Sequence, residues 1–246
     1  MKQYEAVIKT MEKNGGFATL GFLYNEALKI PDVEWKTKTP FASIRRIVQD
    51  KRFFFKIKPR LWALKRWKDR LPFNLQPHKE ISEQTQNEFN HAYYQGLLVE
   101  IGNLKGYKTF VPGQDKNKVF LNKKLFEITT AKEFYQFSYD NIIQKAKTID
   151  VTWFNIRKMP NSIFEVEYST DIQNSLLKFV ELQDFNISMF IVTDGVRQRE
   201  FQTKLNLNAF LSIKKRVRFL DYEKLADWHS KIYEFTNLER EILYKD

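Results

Sequence analysis

Three carboxylates stand in two strongly apolar stretches of this chain. Asp150 lies in Ile149-Asp150-Val151-Thr152-Trp153-Phe154, and Glu165 and Glu167 lie in Phe164-Glu165-Val166-Glu167. Side chains alternate across a strand. Asp150 and Thr152 then share one face, opposite Ile149, Val151 and Trp153, and Glu165 and Glu167 share a face opposite Phe164 and Val166. If the two strands pair as a hairpin, all three carboxylates converge, although the sequence leaves the register open. Acids side by side raise one another's pKa unless a cation holds them. Oxygen donors without histidine suit Mg²⁺, with Mn²⁺ as a substitute. Such an ion polarises a phosphodiester, lowers the pKa of a bound water and stabilises the departing oxygen. An isolated Glu-x-Glu is usually the solvated face of an amphipathic hairpin. Here the acids sit in apolar strands of a near-neutral region, and the rest of the chain carries a concentrated positive charge.

Other chemistries are thinly supplied. There is no cysteine, which excludes disulfides, thiolate zinc sites and thiol catalysis. His78, His91 and His229 are the only histidines, too few for a multi-histidine metal site. His91 reads as structural or as a phosphate contact before it reads as a general base. Gln114, in Val111-Pro112-Gly113-Gln114-Asp115, reads first as part of a polar turn around Gly113, with a water- or DNA-positioning role as the rival. Neither a dinucleotide-binding glycine motif nor a P-loop occurs.

The 246 residues carry a net charge of +11, and residues 1–82 hold 18 basic and 8 acidic side chains against 23 and 22 in the remainder. So lopsided a distribution is costly unless an anionic partner meets it. No apolar run of about 18 residues suggests a membrane span, and the first residues lack the apolar core of a secretory signal. A reducing cytoplasm is the expected address.

Residues 1–70 read as three helices and a hairpin. Tyr4, Val7, Ile8 and Met11 fall on one helical face. Gly15-Gly16 is a stop, Thr19 a cap for a second helix through Leu28, and Thr39-Pro40 a start for a third. Phe53–Ile57 and Leu61–Leu64 read as short strands joined at Lys58-Pro59-Arg60. This is a winged-helix order, which lays its third helix in the major groove and its wing on the backbone. From Arg45 to Arg70 there are eleven Lys/Arg and two acids. Arg45 and Arg46 are expected to meet phosphates or guanine edges, Ser43 and Gln49 to read bases, and Lys56, Lys58 and Arg60 to contact DNA from the wing. Phe53, Phe54 and Phe55 cannot all face inward from one strand, so one is expected to pack elsewhere or touch DNA. The stretch from Trp35 to Leu64 resembles the HARE-HTH type of winged helix, which implies DNA binding.

Residues 71–89 read as a linker, with a boundary near residue 82 that separates a winged-helix domain with its linker (1–82) from a second domain (83–246). The second domain mixes α and β in the order α-β-β-β-α-β. It reads as a helix over 88–101, strands over 106–111, 149–154 and 163–168, a helix capped by Ser169-Thr170-Asp171, and a buried strand at 190–192. Residues 112–146 are not resolved by any pattern. Asp150, the fourteen residues after it, and Glu165-Val166-Glu167, with flanks KAKTIDVTWFN and FEVEYSTDIQNSLLKF, resemble the PD-(D/E)xK nuclease superfamily, in its restriction-endonuclease-like branch. The resemblance implies Asp150 and Glu165 as metal ligands and puts Glu167 where a lysine is usual. It also implies Glu100, on the first core helix, as a fourth catalytic and metal-binding acid. Lys178, on the helix after Glu167, is a candidate to restore the missing positive charge.

Together these imply a metal-dependent, sequence-specific endonuclease of double-stranded DNA, type II-like, acting as a homodimer alongside a cognate DNA methyltransferase, with dependence on base modification left open. A non-catalytic DNA-binding regulator with a degenerate nuclease fold and a structure-selective repair nuclease are the rival readings.

Overall fold

The computed structural model describes residues 1–35, 39–76, 82–168 and 171–244. The Lys36–Lys38 part of the winged-helix stretch, part of the linker, and the capping candidates Ser169 and Thr170 lie outside the described residues. The architecture is mixed α/β, in two compact units: Met1–Ser82 with Ala226–Asp246, and Glu83–Leu225.

In the first unit, α1 (Gln3–Lys13) buries Ala6, Val7, Thr10 and Met11. Gly15 and Gly16 end it by taking φ of 82° and 88°, values glycine adopts without a Cβ clash. A three-residue strand, β1 (Phe17–Thr19), follows and is buried throughout. Thr19 then caps α2 (Leu20–Glu26), its hydroxyl accepting from the Phe22 amide at 3.2 Å. Pro40 opens α3 (Pro40–Ile47), but Thr39, at ψ 66°, lies off the extended geometry of a capping residue and makes no side-chain cap. The hairpin β2 (Phe54–Lys58) and β3 (Leu61–Leu64) pairs antiparallel, with Arg60 at φ 57° in its turn. The sheet order is β1-β3-β2. The three phenylalanines part company: Phe54 enters the core, Phe53 stacks on Tyr4 at 5.4 Å, and Phe55 is half-buried under the Lys68 amine.

In the second unit, α4 (Glu83–Leu104) is buried on nearly every side from Phe89 to Gly102. It leads to β4 (Lys108–Phe110). The unpatterned stretch that follows holds a small hairpin, β5 (Val119–Phe120) and β6 (Lys123–Lys124), and two short helices, α5 (Leu125–Ile128) and α6 (Asp140–Ala146). Next come β7 (Val151–Phe154), β8 (Pro160–Glu167), α7 (Ile172–Val180), β9 (Ser188–Thr193), α8 (Gln198–Leu205) and β10 (Val217–Asp221). The sheet order is β10-β9-β8-β7-β4, antiparallel across β4, β7 and β8 and parallel across β8, β9 and β10. α9 (Tyr222–Tyr244) closes the chain; its residues from Ala226 onward pack with the first unit. Among the described residues, no helix is long and apolar enough to cross a membrane.

Two contacts fix α4 and α7 to the sheet. The Trp153 indole N–H donates to the Leu98 carbonyl at 3.1 Å, and Ile163, Ile172, Leu176, Phe179, Met189 and Ile191 share one apolar cluster. Gly102 lets α4 approach closely: a Cβ there would lie 2.6 Å from both Thr109 Cγ2 and Trp153 Nε1. Gly102→Ala is therefore expected to lower stability by about 1–3 kcal/mol through overpacking, read as a lower midpoint in thermal unfolding at unchanged metal and salt.

Candidate active site

The hairpin register left open by the sequence is set by the pair Val151–Phe164. One antiparallel step beyond it, Asp150 stands across from Glu165. Glu167 follows two residues on, on the same face as Glu165. Asp171 caps α7, its carboxylate accepting from the Gln173 amide at 2.9 Å. From there the helix carries Ser175 and Lys178 over the acids. The result is an open cavity of about 340 Å³, lined among others by Asp150, Glu165, Glu167, His91, Lys118 and Lys178.

The acids are nearly removed from water, with exposures of 6% for Asp150, 1% for Glu165 and 5% for Glu167. Asp150 accepts from the Val166 amide at 2.7 Å, and His91 Nε2 stands 3.1 Å from the same oxygen. Burial pushes the Asp150 carboxyl up, but His91, the Val166 amide and Lys178 together hold it below its ordinary value. Glu165 goes the other way. Burial, then the charges of Asp150 and Glu167, hold it well above the usual range despite the Lys178 ammonium, 2.7 Å from its Oε2. Glu167 is also raised, chiefly by burial. Ser175 Oγ lies 3.0 Å from Glu165 Oε2 and also meets Glu167 Oε1, tying the two glutamates to α7. The Tyr222 hydroxyl donates to the Glu167 carbonyl at 2.8 Å.

The remaining oxygens decide what the site can hold. Among the described residues, Glu165 Oε1 and Glu167 Oε2 are buried with no hydrogen-bond partner. A buried, unsatisfied carboxylate oxygen is costly, and a hard divalent cation is the ligand that satisfies several at once. The donor set therefore fits Mg²⁺ or Mn²⁺. A second grouping overlaps it: His91, Asp115 and Asp150 each offer one ligand atom, all within 4.8 Å of one another.

Asp115 and Gln95 carry no signal in the sequence. Asp115 is a lone acid in a turn, yet it is buried, 2.7 Å from Gln95 Nε2 and 2.6 Å from Lys118 Nζ. Gln95 also donates to the Asp150 carbonyl at 3.1 Å, linking α4 to the base of β7. Gln114, the residue before Asp115, is exposed. Glu100 is not among the described residues that line the cavity. It sits nine residues beyond His91 on α4, about 13 Å along the axis, and the residues of that helix that line the cavity are Asn87, Glu88 and His91.

The DNA-contact candidates all lie in the first unit. Arg46 and Gln49 are exposed, and Ser43 is half-buried. Arg45 pairs with Glu234 and donates to the Tyr24 hydroxyl at 3.3 Å. Arg60 pairs with Asp227. Lys56 is exposed, while burial lowers the pKa of the Lys58 amine.

The family model described as Type II restriction enzyme NmeDI C-terminal domain matches residues 71–243. The Type II restriction enzyme NmeDI of Neisseria meningitidis serogroup C is 28% identical over 112 residues, a stretch that covers 44% of this chain and 31% of that protein. The match thus takes in about a third of the relative's length. No solved structure matches. With a family model spanning most of its length, this chain belongs to the family of the Type II restriction enzyme NmeDI C-terminal domain.

Proposed function

We propose that this chain is a metal-dependent, sequence-specific endonuclease of double-stranded DNA, a type II-like restriction enzyme with a PD-(D/E)xK core and an N-terminal winged helix. The observation that carries the reading is the meeting of Asp150, Glu165 and Glu167 in one cavity, two of their oxygens unpartnered, in a chain of a restriction-enzyme family. A purely regulatory domain has no use for such oxygens, whose burial costs stability.

Asp150 and Glu165 would hold Mg²⁺ or Mn²⁺, with Glu167 beside them; the ion, when bound, supplies a Lewis acid for the scissile phosphate and lowers the pKa of water. The chain's own groups do the rest. The Val166 amide fixes the Asp150 carboxylate, and Ser175 aligns the two glutamates. Lys178 takes the part of the cation that Glu167 displaces from the strand. Its ammonium already reaches Glu165 and lines the cavity, where it can neutralise charge on a phosphate oxygen. His91 orients Asp150.

Residues 1–82 are read as the DNA-binding part and 83–246 as the nuclease, with the end of α9 packed on the former. Cutting both strands calls for two such sites, hence a homodimer. A cognate DNA methyltransferase would protect the host sequence.

The test is digestion of methylated and unmethylated phage DNA with Mg²⁺, with EDTA as control. Discrete bands that need the metal support the reading. Intact DNA with binding preserved refutes it, and cutting confined to junctions or flaps favours a repair nuclease. Lys178→Ala is expected to lower kcat by about 10²-fold with KM little changed, and Lys178→Arg to restore part of it. A change confined to KM would make Lys178 a binding residue only.

A further inference from the structure

We propose that the first unit meets DNA along a groove beside β2, where Lys51, Lys56 and Lys65 receive the phosphates and Trp62 packs on a sugar or base, and that Arg45 and Arg60 hold α9 in place. This rests on the reading of the chain as a DNA enzyme and goes beyond it by reassigning the surface.

Two independent ion pairs remove the arginines. Asp227 and Glu234 lie seven residues apart, two turns along one side of α9. They engage Arg60 in the hairpin turn and Arg45 on α3. Arg45 is further tied to Tyr24. α9 is also closely seated on α2: a Cβ at Gly21 would fall 2.4 Å from the Tyr233 ring and 2.9 Å from His229. A phosphate reaching either guanidinium would first have to break a pair made within this unit, and the partner carboxylate would repel it.

The groove is a cavity of about 500 Å³ lined by Gln49, Lys51, Phe55, Lys56, Trp62 and Lys65, with Phe54 behind. Gln49 and the three lysines are exposed. Among the described residues no carboxylate lines it. Asp50, the acid next in sequence, is held by Arg52 at 2.7 Å. β2 is an edge strand with one neighbour, β3, so the site is open along its length. Clustered lysines beside half-buried aromatic rings suit a polyanion whose units alternate charge with a flat apolar face, which describes a nucleic-acid strand.

The experiment is anisotropy of a fluorescein-labelled DNA duplex with the full chain over a range of salt. The double variant Lys51→Glu/Lys65→Glu is expected to weaken binding at least tenfold and to lower the salt slope by about two. Arg45→Gln and Arg60→Gln are expected to keep affinity within about twofold while lowering the thermal midpoint. The inference is overturned if the lysine variant binds like the parent, or if folded arginine variants lose affinity; in both cases the DNA reading itself survives. A parent chain that binds no duplex at all overturns both.

Discussion

Asp150→Asn is expected to reduce DNA cleavage by about 10³-fold while leaving DNA affinity unchanged or slightly tighter. The substitution keeps shape and an oxygen able to accept the Val166 amide hydrogen bond, so β7 and β8 retain their register. What it removes is a charge. Stabilisation by a carboxylate-held cation is worth several kcal/mol, and about 4 kcal/mol corresponds to a thousandfold in rate. The charge also anchors His91, which loses its anion. Binding measured without metal is spared because the acids oppose a polyanion, so deleting one lessens the repulsion. The measurement is single-turnover cleavage beside anisotropy on the same duplex. Parallel loss of binding and cleavage would make Asp150 structural.

Glu165→Gln carries the second large effect, and its two parts have opposite signs. Cleavage is expected to fall as far as with Asp150→Asn, since Glu165 faces the same cavity. Stability without metal is expected to rise at neutral pH by about 1 kcal/mol, a gain of about 2–4 °C in the midpoint for a chain of this size. Glu165 is held well above its ordinary value of 4.5 by burial and by the charges of Asp150 and Glu167. Below 4.5 both folded and unfolded forms carry the proton, and parent and variant should match. As pH rises, the unfolded chain releases its proton first, so the parent loses stability until the folded value is passed. Glutamine has no proton to lose, so its advantage opens above 4.5 and widens. Added Mg²⁺ should raise the parent's midpoint and leave the variant's unmoved. A variant less stable than the parent at every pH would mean that the Glu165–Lys178 pair outweighs the cost of burying it.

Much of this was legible because local physics acts alone in places. Helical spacing marks α1, paired glycines its end, Thr19 the start of α2 and Pro40 that of α3. Alternation puts Glu165 and Glu167 on one face without any knowledge of what lies opposite. Beyond these, tertiary contacts decide. β1 is three buried residues, too short to show a period. The register of β7 on β8 depends on what covers both faces. Asp115 and Gln95 matter through each other, twenty residues apart, with no repeat to announce them. Glu100 does not line the cavity, because nine residues along a helix carry it about 13 Å beyond His91. The basic run of residues 45–70 reads as one exposed surface, whereas Arg45 and Arg60 find carboxylates 189 and 167 residues away.

The packing of Ala226 onward with Met1–Ser82 sets an order of assembly. A chain emerging from the ribosome presents residues 1–82 first, yet the helix that clasps Arg45 and Arg60 follows only after residue 225. Closing the first unit then waits on pairings across 167 and 189 residues, and contacts of such separation form slowly.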